Sequence, residues 1–316
     1  MLAEQRLLHK RKLGVEIMRL RNTLPALAGL ALLATGCAAP EASGESAAEP
    51  TAQVKTVEKD DAAAALLPAD IADAGVVKVA SGISFPPMEY FDTDNTTVLG
   101  FDADLGKALG EVLGVEFEFN NTNFDGIIGG LKAGRFDLGL TSMIDKAERQ
   151  VDVDFVDYLN SGVAFMTVKG NPEGLAVESD LCGKTVAVEK SATGDIVADE
   201  ISADCTKAGE KALDKAPFPD QASAVQALKA GRADAVLALD LTLAYNVKQD
   251  PEAFEMSKPF GLLPVGIPVP KNDTALRDAV QAALLVLQEN GAYDELLAKW
   301  NLTEQSLEGA PINSGK

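Results

Sequence analysis

The phrase LKAGR is written twice in this chain, in LKAGRFDLGL (Leu131–Leu140) and in LKAGRADAVLAL (Leu228–Leu239), 97 positions apart. Each copy reads as the end of an amphipathic helix, a glycine just beyond it (Gly134, Gly231) and an apolar run suited to a buried strand. A solenoid needs at least three stacked repeats, so two copies point instead to two similar α/β lobes. The rest of the chain continues the alternation. VVKVASG, from Val76, reads as a strand, and LGFDADLGKALGEVLG as a helix with Leu105, Ala108, Leu109 and Val112 on one face and Asp102 placed to cap it. VEFEF alternates as a strand, NFDGIIGGLKAG is helical, and RFDLGL returns to the sheet. A second series starts at KTVAVEK and passes through a helix opening near Thr193 and another from about Asp220 to the second LKAG. VGIPVPK and two helices, Thr274 to Glu289 and Ala292 to Trp300, close the chain. Sheets of this kind bind ligands beyond the carboxyl ends of their strands, so two such lobes define a cleft between them.

Composition removes several function classes. The formal charge of −20 argues against binding nucleic acid, whose phosphates need a basic surface. The only histidine is His9, and it precedes a segment that reads as removable. Without imidazole, hydrolase triads and His-based zinc sites are poor readings, and no cofactor is implied. The chain has no phosphate-binding glycine loop ending in Gly-Lys-Ser/Thr, so any ATP hydrolysis belongs to another subunit.

From Met18 the chain runs MRLRNTLPALAGLALLATGC: Arg19 and Arg21, an apolar stretch from Leu24 to Ala34, then small residues before Cys37. This is too short for a membrane span and has the layout of a secretory signal. LATGC is similar to a bacterial lipobox, which implies cleavage before Cys37 and diacylation of its thiol; a plain signal peptide is the alternative. Residues 37–66, with almost no large apolar side chains, form a disordered tether after residues 1–36 are removed. Export allows a disulfide to persist, and Cys182 and Cys205 are the two cysteines left to form one. Such a bridge contributes on the order of 3 kcal/mol. A reactive thiol is the rival reading, and it lacks a histidine to activate it.

SFPPMEYFD, GFDADLGKALGEVLGVEFEF, NFDGIIGGLKAGRFDLGL, KAERQVDVDFVDY, VAVEKSATGD and NGAYDELLAKW, in that order and spacing, resemble the polar amino-acid binding proteins of bacterial ABC importers. The resemblance implies a two-lobed, hinged periplasmic-binding-protein-like fold of type II, each lobe a mixed sheet flanked by helices. Lobe 1 would comprise residues 67–162 and 265–316, lobe 2 residues 163–264, with crossings near Asn160 to Phe165 and Gly261 to Gly266.

It also implies a site. A free amino acid carries two charges that are too costly to bury unpaired. Arg149 stands where the family places its carboxylate-binding arginine, whose planar fork holds both oxygens; a surface ion pair with Asp152 is the plainer reading. Thr193 and Gly194 would add backbone N–H groups at a helix start. Asp240 is the acid for the ammonium, with a helix N-cap as its alternative, and one of two registers falls on Leu239 instead. Ser142 contributes a hydroxyl or carbonyl. Phe85 and Phe124 would enclose the side chain, although core packing is the commoner use of phenylalanine. Gly82 stands where relatives that bind basic amino acids often carry an acid, which argues against a strongly cationic ligand and leaves a neutral polar or acidic one open.

The implied function is a monomeric, extracytoplasmic receptor, lipid-anchored to the outer face of the bacterial membrane. It would capture an L-amino acid and deliver it to permease subunits driven by a cytoplasmic ATPase. The alternatives are a dehydratase-like cleft enzyme, for which Glu89 and Asp240 are the acids to nominate, and a sensory lipoprotein.

Overall fold

The computed structural model describes residues 57–316. Cys37, the expected signal and most of the expected tether lie outside the described residues. One boundary is corrected: structure begins before residue 66. Val57 and Ala63 are buried, and helix α1 (Asp61–Ala64), capped by the Asp60 carboxylate accepting from the Ala63 N–H at 2.8 Å, lies against two later helices. Two small apolar side chains in an acidic, alanine-rich stretch suffice because they fill an existing surface and need no core of their own.

After α2 (Ala69–Ala74) comes strand β1 (Val76–Ser81), and a small hairpin, β2 (Tyr90–Phe91) and β3 (Val98–Leu99), leads into α3 (Phe101–Leu113). β4 (Glu116–Asn121), a 3-10 turn at Phe124–Gly126, α4 (Ile127–Lys132), β5 (Leu138–Gly139), β6 (Met143–Ile144) and α5 (Ala147–Gln150) complete the first series. The 16-residue strand β7 (Val153–Val168) carries the chain into the second series. That series consists of β8 (Thr185–Glu189), α6 (Thr193–Lys207), β9 (Asp214–Phe218), α7 (Gln221–Lys229), β10 (Ala235–Leu239), α8 (Asp240–Gln249) and β11 (Phe254–Met256). β12 (Phe260–Pro270) leads back to α9 (Thr274–Glu289) and α10 (Ala292–Trp300), whose limits match the sequence reading.

The first lobe has a parallel sheet in the order β4-β1-β5. A second sheet runs β6-β12-β7-β10-β8-β9, with β11 also on β7. β8, β9 and β10 are parallel, whereas β7 and β12 form a long antiparallel pair from Val153 against Pro270 to Val163 against Phe260. That pair joins the lobes, and its register shifts twice, between Phe260 and Leu263 and between Val265 and Gly266. The expected crossings fall inside it.

The doubled phrase folds the same way twice. Gly134 and Gly231 both take φ near 67° (66° and 67°), the left-handed conformation that ends a helix without a side-chain clash. Arg135 N–H donates to Gly130 O and Gly134 N–H to Leu131 O; Arg232 N–H donates to Ala227 O and Gly231 N–H to Leu228 O. The aspartate that follows then fixes the next strand. Asp137 Oδ2 accepts from Lys78 N–H on β1 at 2.7 Å, and Asp234 Oδ2 from Thr185 N–H on β8 at 2.8 Å.

In α3, Leu105, Ala108, Leu109 and Val112 are buried against α9 and α10, each large side chain contributing about 1.5–3 kcal/mol. Asp102 is not its cap. Gly100 takes that place with φ 129°, where any side chain would run into the Met88 carbonyl, and Asp102 is turned inward and fully buried. Cys182 and Cys205 form a disulfide with Cα atoms 5.6 Å apart, tying the end of the 3-10 turn at Glu178–Leu181 to α6. The last residues lie along β7: Ser306 bridges Leu159, Ile312 bridges Val156, and Ser314 and Gly315 donate backbone N–H groups to the buried carboxylates of Asp157 and Asp145.

Candidate functional site

A small cavity of about 20 Å³, partly open to solvent, lies between the lobes at the carboxyl ends of their parallel strands. The first lobe lines it with Gly82 and Phe85 after β1, Phe124 on the 3-10 turn, and Thr141 and Ser142 after β5. The second lobe lines it with Glu189 at the end of β8, Ala192 to Gly194 at the start of α6, and Leu237 to Leu239 on β10. Five of the residues expected at the site therefore line one cavity, Phe85, Phe124 and Ser142 from the first lobe and Thr193 and Gly194 from the second. Gly194 also has a packing reason to be glycine, since a Cβ there would strike the Leu237 carbonyl.

Arg149 and Asp240 flank this cavity without lining it. The Arg149 guanidinium lies 5.5 Å from the centre of the Phe124 ring, 7% exposed, and has no carboxylate within ion-pair distance among the described residues. It donates from Nη1 to Ile144 O at 2.8 Å and from Nη2 to Ser191 O of the second lobe at 2.9 Å. Asp152, the plainer partner, is paired with Lys132 at 2.6 Å. Burial lowers the guanidinium pKa to about 10. A buried cation held only by carbonyl oxygens leaves N–H donors for an anion. Ser142 and Ser191, one in each lobe, both take left-handed backbone conformations, at φ 49° and 63°. Non-glycine residues held there concentrate at functional sites.

Asp240 is the first residue of α8, after Leu239 at the N-cap. Its Oδ1 accepts from Ser161 Oγ at 2.8 Å and from Gly162 N–H at 3.2 Å, both on β7 where the strand passes between lobes. Burial raises its pKa above the ordinary carboxylate range. Of the two registers, Leu239 is the one on the cavity wall.

The sequence reading missed the cavity's own acids as ligand contacts. Glu89, 1% exposed, accepts from Thr141 Oγ1 at 2.8 Å through Oε1, while Oε2 has no donor. Beside it Asp102 accepts from Tyr158 Oη at 2.7 Å, from Ser142 N–H at 2.8 Å and from Ser142 Oγ at 3.2 Å. Glu189, 5% exposed, faces the cavity from the opposite lobe. Burial and the neighbouring Asp102 push Glu89 well above the usual range. Burial raises Asp102 to about 6 against the pull of its Tyr158 and Ser142 hydrogen bonds. Burial, with Asp220 and Asp125 nearby, raises Glu189 to about 8. Gln221, 2% exposed, completes this wall with an unpartnered Nε2. A glutamate closing the apolar run TVAVE was the available signal for Glu189; nothing local in SFPPMEYFD distinguishes Glu89. The glycine at position 82 therefore does not leave the cavity without acids. Among the described residues no group of three acidic, histidine or cysteine side chains is arranged to hold a metal ion.

Residues 77–303 match the sequence model of the bacterial extracellular solute-binding proteins, family 3. The chain is 30% identical over 253 residues to the arginine-binding protein ArgT of Corynebacterium glutamicum, covering 79% of this chain and 82% of that protein. It is 33% identical over 235 residues to the L-arginine-binding protein of Pseudomonas aeruginosa, covering 71% and 87%. The solved structure of an ancestral arginine-binding protein bound to arginine superposes with a TM-score of 0.66 at 33% identity, covering 72% of this chain and 98% of that one. These relatives share the two-lobed α/β fold and are named as binding proteins, not as enzymes.

Proposed function

The chain belongs to the bacterial extracellular solute-binding proteins of family 3, and on that premise we propose that its cleft captures a cationic L-amino acid such as arginine for delivery to an ABC permease. The observation that carries this reading is Arg149: a buried guanidinium, bonded to carbonyls of both lobes and free of any carboxylate partner among the described residues. An α-carboxylate displacing one of those carbonyls would gain a charged, forked partner. Thr193 and Gly194 open α6, and their N–H groups offer the same carboxylate a second grip from the other lobe. Asp240 receives the ammonium once the ligand is seated beside Leu239. Ser142 supplies a polar contact, and Phe85 and Phe124 enclose the side chain.

Glu89 and Glu189 support a cationic ligand, against the expectation from Gly82 that left a neutral polar or acidic one open. A carboxylate-bearing side chain would meet two buried acids, whereas a guanidinium presents five donors to them. The names of ArgT and of the Pseudomonas aeruginosa protein point the same way.

Capture by both lobes makes closure depend on the ligand, and the closed form is what a permease would recognise. In this reading residues 1–36 direct export and Cys37 carries the anchor. No helix among the described residues is long and apolar enough to cross a membrane. An unmodified Cys37 in the membrane fraction would remove the anchor, and undiminished uptake after deletion of the gene would remove the transport role.

A thermal-shift screen of the exported protein against the common L-amino acids tests the binding function. Arginine at one hundred times its Kd should add about 2.7 kcal/mol to stability and raise Tm accordingly, with acidic amino acids inert. A screen in which no amino acid moves Tm would refute amino-acid capture.

A further inference from the structure

Two carboxyl groups, Glu89 and Glu189, line this cavity, a third, Asp102, lies beside Glu89, and no lysine or arginine among the described residues neutralises them. Around Glu89 stand Thr141, Asp102 on α3, Tyr158 on β7 and, from the other lobe, Glu189. Around Glu189 stand Asp220 at the start of α7 and Asp125 on the 3-10 turn of the first lobe. Lys190 is exposed and engaged by Asp125 at 2.7 Å, and Arg149 spends its two bonded nitrogens on carbonyl oxygens.

The hydrogen bonds decide where charge can reside. Asp102 accepts three bonds, an arrangement that suits a carboxylate. Glu89 then has one oxygen satisfied by Thr141 and one with no donor, next to an ionised neighbour. Two acceptor-only groups in a dry site repel, and a proton on Glu89 turns that contact into a hydrogen bond to Asp102. Glu189 accepts no side-chain hydrogen bond among the described residues either, and its burial favours the protonated acid in the same way.

We propose that capture here is an exchange: the side-chain cation of the incoming amino acid takes the place of a proton held on the Glu89 and Glu189 carboxyls, and that proton leaves to solvent. The amino-acid backbone is a zwitterion and adds no net charge, so one positive charge enters and one departs. The buried site keeps its charge and gains donors for the vacated oxygens. A neutral side chain cannot drive the exchange and would leave the proton in place. Selectivity for cationic over neutral amino acids therefore rises with pH, because the proton to be displaced is held more weakly. Since Glu89 and Glu189 come from opposite lobes, the exchange also rewards closure.

This inference rests on the amino-acid reading of the cleft, and calorimetry separates the two. L-arginine is titrated into the exported protein at pH 7 in phosphate, HEPES and Tris, whose ionisation enthalpies differ. We expect heats that vary with the buffer and give release of about one proton per arginine, with affinity rising about tenfold from pH 6 to pH 7. Glu189→Gln should reduce both the release and the pH dependence. Arginine binding with buffer-independent heat and a flat pH profile overturns the exchange while leaving the receptor function intact. Binding of neutral amino acids with no binding of arginine overturns it as well, whereas no amino acid binding at all sinks the receptor reading itself. If Glu189→Gln fails to fold, the wild-type buffer series still decides.

Discussion

Arg149 and Glu189 show how differently two buried charges announce themselves. Arg149 was singled out by the resemblance of KAERQ to the family, its position alone leaving a surface ion pair equally open, and the fold buries it with hydrogen bonds to carbonyls of both lobes. Replacing it with alanine should weaken amino-acid binding by roughly 2–5 kcal/mol, the range for deleting one partner of a buried charge pair. Calorimetry with L-arginine would measure this, and unchanged affinity would exclude Arg149 from the site. Lysine should restore little of the loss, because a point charge cannot replace the two donors directed at separate carbonyls. Glu189 was not legible as a contact, since its role arises from what stands opposite it across the cleft. Asp102 was misread for a related reason. A local rule suggests a cap, but the left-handed Gly100 takes the cap position, and the aspartate pairs with Tyr158 56 positions away.

At the scale of elements the sequence was more transparent. Helices α9 and α10 begin and end where their periodicity and flanking residues place them. The LKAGR phrase proved to be a structural module: a helix end, a left-handed glycine and an aspartate that clamps the neighbouring strand. Asp234→Ala should leave the partly buried Thr185 N–H without its acceptor and cost about 1–3 kcal/mol. Urea unfolding would read it as a lower midpoint with an unchanged slope. A cost below a few tenths would mean that the clamp is dispensable. What the elements alone did not reveal is that β7 and β12 run unbroken between lobes. Strand patterning reports burial, not which sheet a strand serves.

The whole molecule carries an unusual set of buried acids, and they make its stability depend on pH in a definite direction. Asp102, Asp157 and Glu189 are raised by burial to about 6, 7 and 8, and burial also holds Glu89 well above its ordinary value. An acid that binds its proton more tightly in the folded chain favours folding at low pH, and this advantage fades as pH climbs through the folded value. The ligand-free protein should therefore lose several degrees of Tm between about pH 5 and pH 8. Below about pH 4 the order reverses, as Asp154 and Asp180, whose pKa values are lowered, take up protons. A scan flat from pH 5 to pH 8 would show that the acids do not hold their protons in the native state. One of these acids, Asp157, also grips Ser314, and Asp145 grips Gly315, so the closing residues lie along the very strand that links the lobes. An affinity tag or fluorescent reporter appended after Lys316 would consequently sit beside the strand pair that joins the lobes, where it would burden, or if rigidly attached report on, the closure proposed for capture.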